Sequence, residues 1–184
     1  MMNSRALITA CAAFLACVAI SCGDSASSES SLAAPAEPLD FEATEDDFDC
    51  IQDWERVRNI RVTNKLGFLE EALALARDPE KGEQFPVGTI IQLFPGEAMV
   101  KRGSEFDPNN NNWEYFELAV TPSGTSINVR GRDEVINMFG GQCFNCHLEA
   151  KDFDFLCEKG RGCIELPIDD ATITALQEAD PRCN

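Results

Sequence analysis

The chain predicts an α+β fold, an antiparallel sheet with flanking helices in a single domain, and three observations lead there. Between residues 86 and 129, short β-branched and aromatic segments alternate with Pro, Gly and Asn breaks, the spacing of hairpin-connected strands. Before and after that block the pattern turns helical. Residues 50–184 have the length of one domain, enough to bury a core of their own. No internal repeat divides them.

Residues 1–21 read as an address rather than as structure. Met1–Arg5 carries one positive charge, and Ala6–Ile20 is an apolar run, too short to span a bilayer comfortably but suited to a signal peptide. It ends in Ala19-Ile20-Ser21-Cys22, small residues before a cysteine. This resembles a bacterial lipoprotein signal, in which Cys22 becomes the acylated first residue. Cys17 is a competing position, and Cys22 is favoured because the whole apolar run precedes it. The expectation is an exported protein, periplasmic or attached to the outer membrane, with lipid as an anchor and not a span. An ordinary cleaved signal is the alternative.

Residues 22–49 read as an acidic, disordered tether. From 23 to 49 there are nine acidic residues and no lysine or arginine, and such a segment cannot bury enough apolar surface to offset its ordering entropy. The formal net charge of −17 argues against a nucleic-acid partner, because phosphate binding needs a basic face. It is compatible with docking to a basic redox partner.

Within 50–184 the elements follow in order. Phe48–Asn64 has helical spacing in its first half and an extended character in its second. Phe68–Arg77 repeats apolar residues at three and four on an Ala- and Leu-rich background, and Asp78-Pro79 stops it. Gly88–Phe94 and Ala98–Arg102 read as strands divided by Pro95-Gly96. Asp107-Pro108 and four asparagines make a loop before the strand Trp113–Val120. Pro122-Ser123-Gly124 then turns the chain into Ser126–Val129. Asp133–Phe139 reads as a short helix ended by Gly140-Gly141.

Cys143-Phe144-Asn145-Cys146-His147 follows at once. Two cysteines two residues apart with histidine next form the attachment signature for c-type haem. The sulfurs of Cys143 and Cys146 bond the haem vinyl groups as thioethers, and the His147 imidazole lies under the iron as proximal ligand. His147 is the only histidine, so a zinc site would need further thiolates in register. Cys157 and Cys163, with five residues between them, offer no second such pair. A plain disulfide or a thiol redox couple are the competing readings.

Several pieces in sequence resemble the cytochrome P-460 family, which includes the β-type cytochromes c′. They are Phe85-Pro86-Val87-Gly88-Thr89, Met99-Val100-Lys101-Arg102 leading to Trp113-Glu114-Tyr115-Phe116, the segment Cys143–His147, and Asp152-Phe153-Asp154-Phe155. The resemblance covers roughly residues 66–156. It implies an antiparallel sheet carrying haem c on Cys143, Cys146 and His147, with an open sixth iron position. It further implies a small diatomic or nitrogen-oxide ligand, or electron transfer. Some members of that family oxidise hydroxylamine with a haem cross-linked to lysine. Lys101 is the strand lysine that bears on this alternative, and it reads more simply as a solvated strand-end charge beside Arg102.

The remaining cysteines give an arithmetic. With Cys22 lipidated and two cysteines on haem, Cys50, Cys157, Cys163 and Cys183 remain, and four allow three pairings. An even remainder outside the cytoplasm suggests two disulfides. Cys157 with Cys163 and Cys50 with Cys183 is the favoured set, the second joining the ends of the domain. A disulfide-stapled binding module without haem is the other alternative. Met99 and Met138 both read as core rather than as axial ligands, and Trp113 and Tyr115 share one strand face. Asp152 and Asp154, interleaved with phenylalanine, suggest a strand or turn.

Overall fold

The computed structural model describes residues 39–161 and 163–183. The signal segment, Cys17, Cys22 and the tether as far as residue 38 lie outside the described residues. Six strands form one antiparallel sheet in sequence order: β1 (Glu55–Val57), β2 (Ile60–Asn64), β3 (Thr89–Gln92), β4 (Glu97–Lys101), β5 (Trp113–Thr121) and β6 (Gly124–Gly131). Helix α1 (Leu69–Arg77) lies between β2 and β3, and α2 (Cys143–His147) and α3 (Asp170–Glu178) follow the sheet. The domain is α+β, as its pattern predicts.

Alternation along the strands gives the sheet two apolar faces. One face carries Ile91, Met99, Trp113 and Tyr115, packed with Ala72, Leu73 and Ala76 of α1 and with Val135, Cys143, Phe155 and Leu156. The other carries Ile90, Ala98, Val100, Phe116 and Leu118 under Ala43, Phe48, Ile51 and Trp54. Glu70 and Glu71 open α1 and Arg77 closes it, each charge opposing the helix dipole at its own end.

Five readings of the sequence are corrected. Residues 39–49, read as tether, belong to the fold: Ala43 and Phe48 are buried, and the Asp40 carboxylate accepts from Arg102 at 2.7 and 3.0 Å. Acidic composition opposes burial only while the carboxylates lack partners, and Arg102, the residue after β4, supplies one. Phe48–Asn64 contains no α-helix. A 3₁₀ turn at Ile51–Asp53 leads into the β1–β2 hairpin, whose turn puts Arg58 at φ 53°, and β-branched Val57, Ile60 and Val62 favour the pleated surface.

Asp133–Phe139 is not helical either. The Asn137 side chain accepts the amides of Phe139 and Gly141, a local bond that competes with helix, and Ile136 pairs with Gln142. Met138 is therefore 56% exposed rather than core, whereas Met99 is buried. Lys101 is also corrected: its side chain is 3% exposed, not solvated, because Asp154 meets its ammonium at 2.7 Å.

Disulfides join Cys50 to Cys183 and Cys157 to Cys163, the favoured pairs. No described helix is long and apolar enough to cross a membrane.

Candidate haem-attachment site

Helix α2 is a single short turn that starts where Gln142 leaves an extended conformation. Cys143 is held by its amide, which donates to the Val135 carbonyl at 3.2 Å, and its side chain is buried on the Tyr115 face of the sheet. Cys146 lies three residues on and exposed, so both thiols fall on neighbouring positions of one helical face. Both are free thiols, while the other four described cysteines are closed in disulfides. The buried Cys143 thiol is pushed up to about 12, by burial first and then by the charges of Glu97 and Cys146.

His147 ends α2 with its ring tilted against Tyr115, centroids 5.2 Å apart. Its Nδ1 lies 2.7 Å from the carbonyl oxygen of Phe155. A carbonyl only accepts, so Nδ1 carries the proton and Nε2 is left as the lone-pair nitrogen. Burial lowers the imidazole's basicity, against the opposing pull of the Phe155 carbonyl. The neutral, Nε2-donating form is the one a metal takes. Phe144 stacks over Phe155 at 6.2 Å, with the Arg132 guanidinium over Phe144.

The carbonyl of Phe155 is aimed by an unusual turn. Asp154 and Phe155 are consecutive non-glycine residues at φ 51° and 61°, a left-handed conformation that persists only where surroundings over-determine it. Asp154 is met from four directions. Lys101 Nζ donates to both its oxygens at 2.7 and 2.8 Å, the Asn111 amide to Oδ1 at 3.0 Å, and the Phe85 amide to Oδ2 at 2.6 Å. Trp113 Nε1 donates to its carbonyl at 2.7 Å. Burial pushes the Lys101 ammonium down and the Asp154 carboxyl up, and each draws the other back toward its charged form.

At the Glu97 end of β4, the end opposite Lys101, is a cavity of ≈ 510 Å³, walled by Glu97 and Glu117 from the sheet, by Phe94 from the turn between β3 and β4, and by Ile136, Asn137 and Met138 from the segment leading to α2. Its size is that of small-molecule and cofactor sites, about 300–1,000 Å³. Ile136, Met138, Phe139 and Leu148 leave large apolar side chains exposed on the segments bounding α2. Glu97 and Glu117 face each other across β4 and β5. Burial and the Glu117 charge raise the Glu97 carboxyl, although the Met138 amide donates to it at 2.6 Å.

The donor set fits a covalently held haem: two free thiols one helical turn apart and one adjacent imidazole with its second nitrogen fixed. Among the described residues, no group of three or more His, Cys, Asp or Glu side chains is gathered as a metal cage. Of the residues singled out in the sequence, Cys143, Cys146 and His147 come together, and Lys101 joins them through Asp154 and Phe155. The Cys157–Cys163 sulfurs lie 3.4 and 3.8 Å from the Cys146 carbonyl oxygen. The roles of Asp154, of the Phe155 carbonyl and of the Glu97–Glu117 pair were not legible in the sequence, because each depends on residues distant in the chain.

No family model matches the chain, and comparison with characterised proteins and with solved structures gives no significant similarity.

Proposed function

We propose that this chain is an exported, membrane-tethered c-type haem protein whose haem keeps an open distal position for a small diatomic or nitrogen-oxide ligand or for electron transfer. The observation that carries the reading is the pairing pattern. Four described cysteines are closed in disulfides, while Cys143 and Cys146 stay free beside the chain's single histidine. Haem, when bound, supplies an iron centre for ligand binding or one-electron chemistry.

The chain's own residues do the rest. Cys143 and Cys146 would hold the group through their sulfurs, and His147 Nε2 would supply a nitrogen donor to its iron. The Phe155 carbonyl fixes the proton on Nδ1, which orients the ring and raises its strength as a ligand. The cytochrome P-460 resemblance supports the same reading. The acidic surface suits a basic redox partner, and Cys22 would supply the lipid anchor.

An alternative function in this family is hydroxylamine or nitrogen-oxide oxidation with a lysine-modified haem. The contact of Lys101 Nζ with both oxygens of Asp154 weighs against that alternative, because a cross-link needs a free amine. A disulfide-stapled module without haem is the remaining alternative, and the free state of Cys143 and Cys146 weighs against it.

The test is expression of the full chain in a host with c-type maturation machinery. The proposal expects a covalent haem adduct by denaturing mass measurement, lost in Cys143→Ala/Cys146→Ala. It also expects a reduced spectrum that shifts with carbon monoxide, unchanged in Met138→Leu, since Met138 is the exposed methionine beside the cavity. A colourless wild-type protein whose two thiols alkylate freely would overturn it. A red-shifted band lost in Lys101→Ala would move the function to the cross-linked class.

A further inference from the structure

We infer that the Lys101–Asp154 ion pair positions His147: it holds the left-handed Asp154–Phe155 turn that presents the Phe155 carbonyl to Nδ1 and so keeps Nε2 as the donor nitrogen. The use of Nε2 as a haem ligand rests on the function proposed above. The positioning itself is a property of the polypeptide alone.

The chain of contacts is short and continuous. Lys101, at the end of β4, reaches Asp154 across the sheet face at 2.7 and 2.8 Å, with its ammonium 5.1 Å from the centre of the Trp113 ring. Trp113, its partner across β4 and β5, donates to the backbone carbonyl of Asp154 at 2.7 Å. One strand pair thus grips both the side chain and the main chain of one residue. The next carbonyl along, that of Phe155, receives Nδ1 of His147 at 2.7 Å.

Two features argue that this is more than a buried ion pair serving stability. A buried pair is weak evidence for stability in itself, since apolar replacements of similar size often serve as well. And Phe155, whose carbonyl meets His147, stands at φ 61° directly after Asp154 at φ 51°, a left-handed conformation that Gly, Asn or Asp adopt and a bulky aromatic residue rarely does. Strain at such positions survives where surrounding bonds enforce it, and it points from geometry to function. Without the grip, the turn is free to relax toward a right-handed or extended backbone. That rotation carries the Phe155 carbonyl away from the imidazole. His147 then loses the acceptor that selects its tautomer.

The test uses the fact that the chain has one histidine, so its imidazole gives one unambiguous set of nitrogen signals. The double variant Lys101→Met/Asp154→Asn removes both charges at once, leaving neither unpaired, and asparagine tolerates the left-handed conformation. Arg102→Met is the control. It breaks the neighbouring buried pair with Glu114, which lies away from His147. In full-length chain made without haem attachment, nitrogen NMR should find the wild type and Arg102→Met as the Nδ1-protonated tautomer with a slowly exchanging proton. The double variant should lose that protection and populate the other tautomer.

In haem-loaded protein the same variant should lower the iron–histidine stretching frequency, which reports the Nδ1 hydrogen bond, and Arg102→Met should not. This second measurement decides the matter if the unloaded chain does not fold. An unchanged tautomer, proton exchange or stretching frequency in a folded double variant would overturn the inference, as would an equal change in Arg102→Met. If wild type takes up no haem while the tautomer responds as expected, the positioning stands and the haem function fails.

Discussion

Cys50 and Cys183 are joined by a disulfide that closes 133 residues of chain, and the same junction is held a second time by buried charge. The Asp180 carboxylate accepts the Ile51 amide at 3.1 Å and the Arg182 guanidinium at 2.7 Å. Arg182 in turn donates to the Phe48 carbonyl at 2.9 Å. The start and the end of the described domain therefore meet at one buried seam.

Chain entropy makes the two disulfides unequal. Closing the long loop contributes up to about 5 kcal/mol, whereas the Cys157–Cys163 loop, six residues in separation, contributes about 2 kcal/mol. Cys50→Ala/Cys183→Ala should lower stability by about 3–5 kcal/mol and Cys157→Ala/Cys163→Ala by less than half of that, read from denaturant midpoints. Equal losses would refute the entropic ordering.

The difference between what the sequence disclosed and what it withheld follows from range. Strands β3 to β6 and helix α1 were legible because period-two and period-three-to-four patterns are local. That two disulfides form was legible because counting cysteines needs no geometry, whereas the count alone leaves three pairings open. Asp40, Lys101 and Asp154 were misread or missed because a charge beside other polar residues looks solvated until its partner is known. Those partners lie 62 residues from Asp40 and 53 from Lys101. Asp133–Phe139 failed differently: its apolar spacing is helical, but the Asn137 side chain captures the Phe139 amide that a helix would use, together with the Gly141 amide beyond it.

Removing one member of the buried Lys101–Asp154 pair should be far worse than removing both. Lys101→Met leaves a carboxylate that is 1% exposed without its cation, a loss of about 3–5 kcal/mol. Lys101→Met/Asp154→Asn should recover most of that. A double-mutant cycle by chemical denaturation checks it, and simple additivity of the single losses would contradict the coupling.

The segment 39–49 should detach as pH falls. The Arg102 guanidinium beside Asp40, with the Gly103 and Phe41 amides, holds its carboxyl well below the usual carboxylate range. A depressed folded value means that the contact's contribution is complete above the unfolded value of about 3.9 and is lost as pH drops below it through the folded value. Amide exchange at Gly103, whose N–H meets Asp40 at 2.5 Å, should accelerate over that acid range in wild type and be pH-independent in Asp40→Asn beyond the intrinsic trend. Gly103→Ala should release the segment at neutral pH, because a Cβ there would stand 2.5 Å from the Leu39 carbonyl oxygen.

Glu97 should behave in the opposite sense. Burial, with the facing Glu117 adding its charge, raises its carboxyl above the ordinary value of 4.5. The folded chain therefore holds this proton more tightly than the unfolded chain does. Its stability relative to an uncharged side chain is greatest below the unfolded value, and it declines as pH rises through the window between the unfolded and folded values. Glutamine keeps an oxygen for the Met138 amide, which donates to Glu97 at 2.6 Å, and carries no charge at any pH. Glu97→Gln should therefore match wild type near pH 3 and become progressively more stable than it toward neutral pH, with the gain levelling off once Glu97 is fully ionised. The same substitution should ease ionisation of the Cys143 thiol, on which the Glu97 charge acts, so thiol alkylation of the unloaded chain should shift to lower pH. Paired thermal melts across that range, with alkylation rates on the same samples, check both halves. A gain that is constant with pH would mean that Glu97 titrates alike in the folded and unfolded chains, and that the cavity wall does not hold its carboxyl away from water.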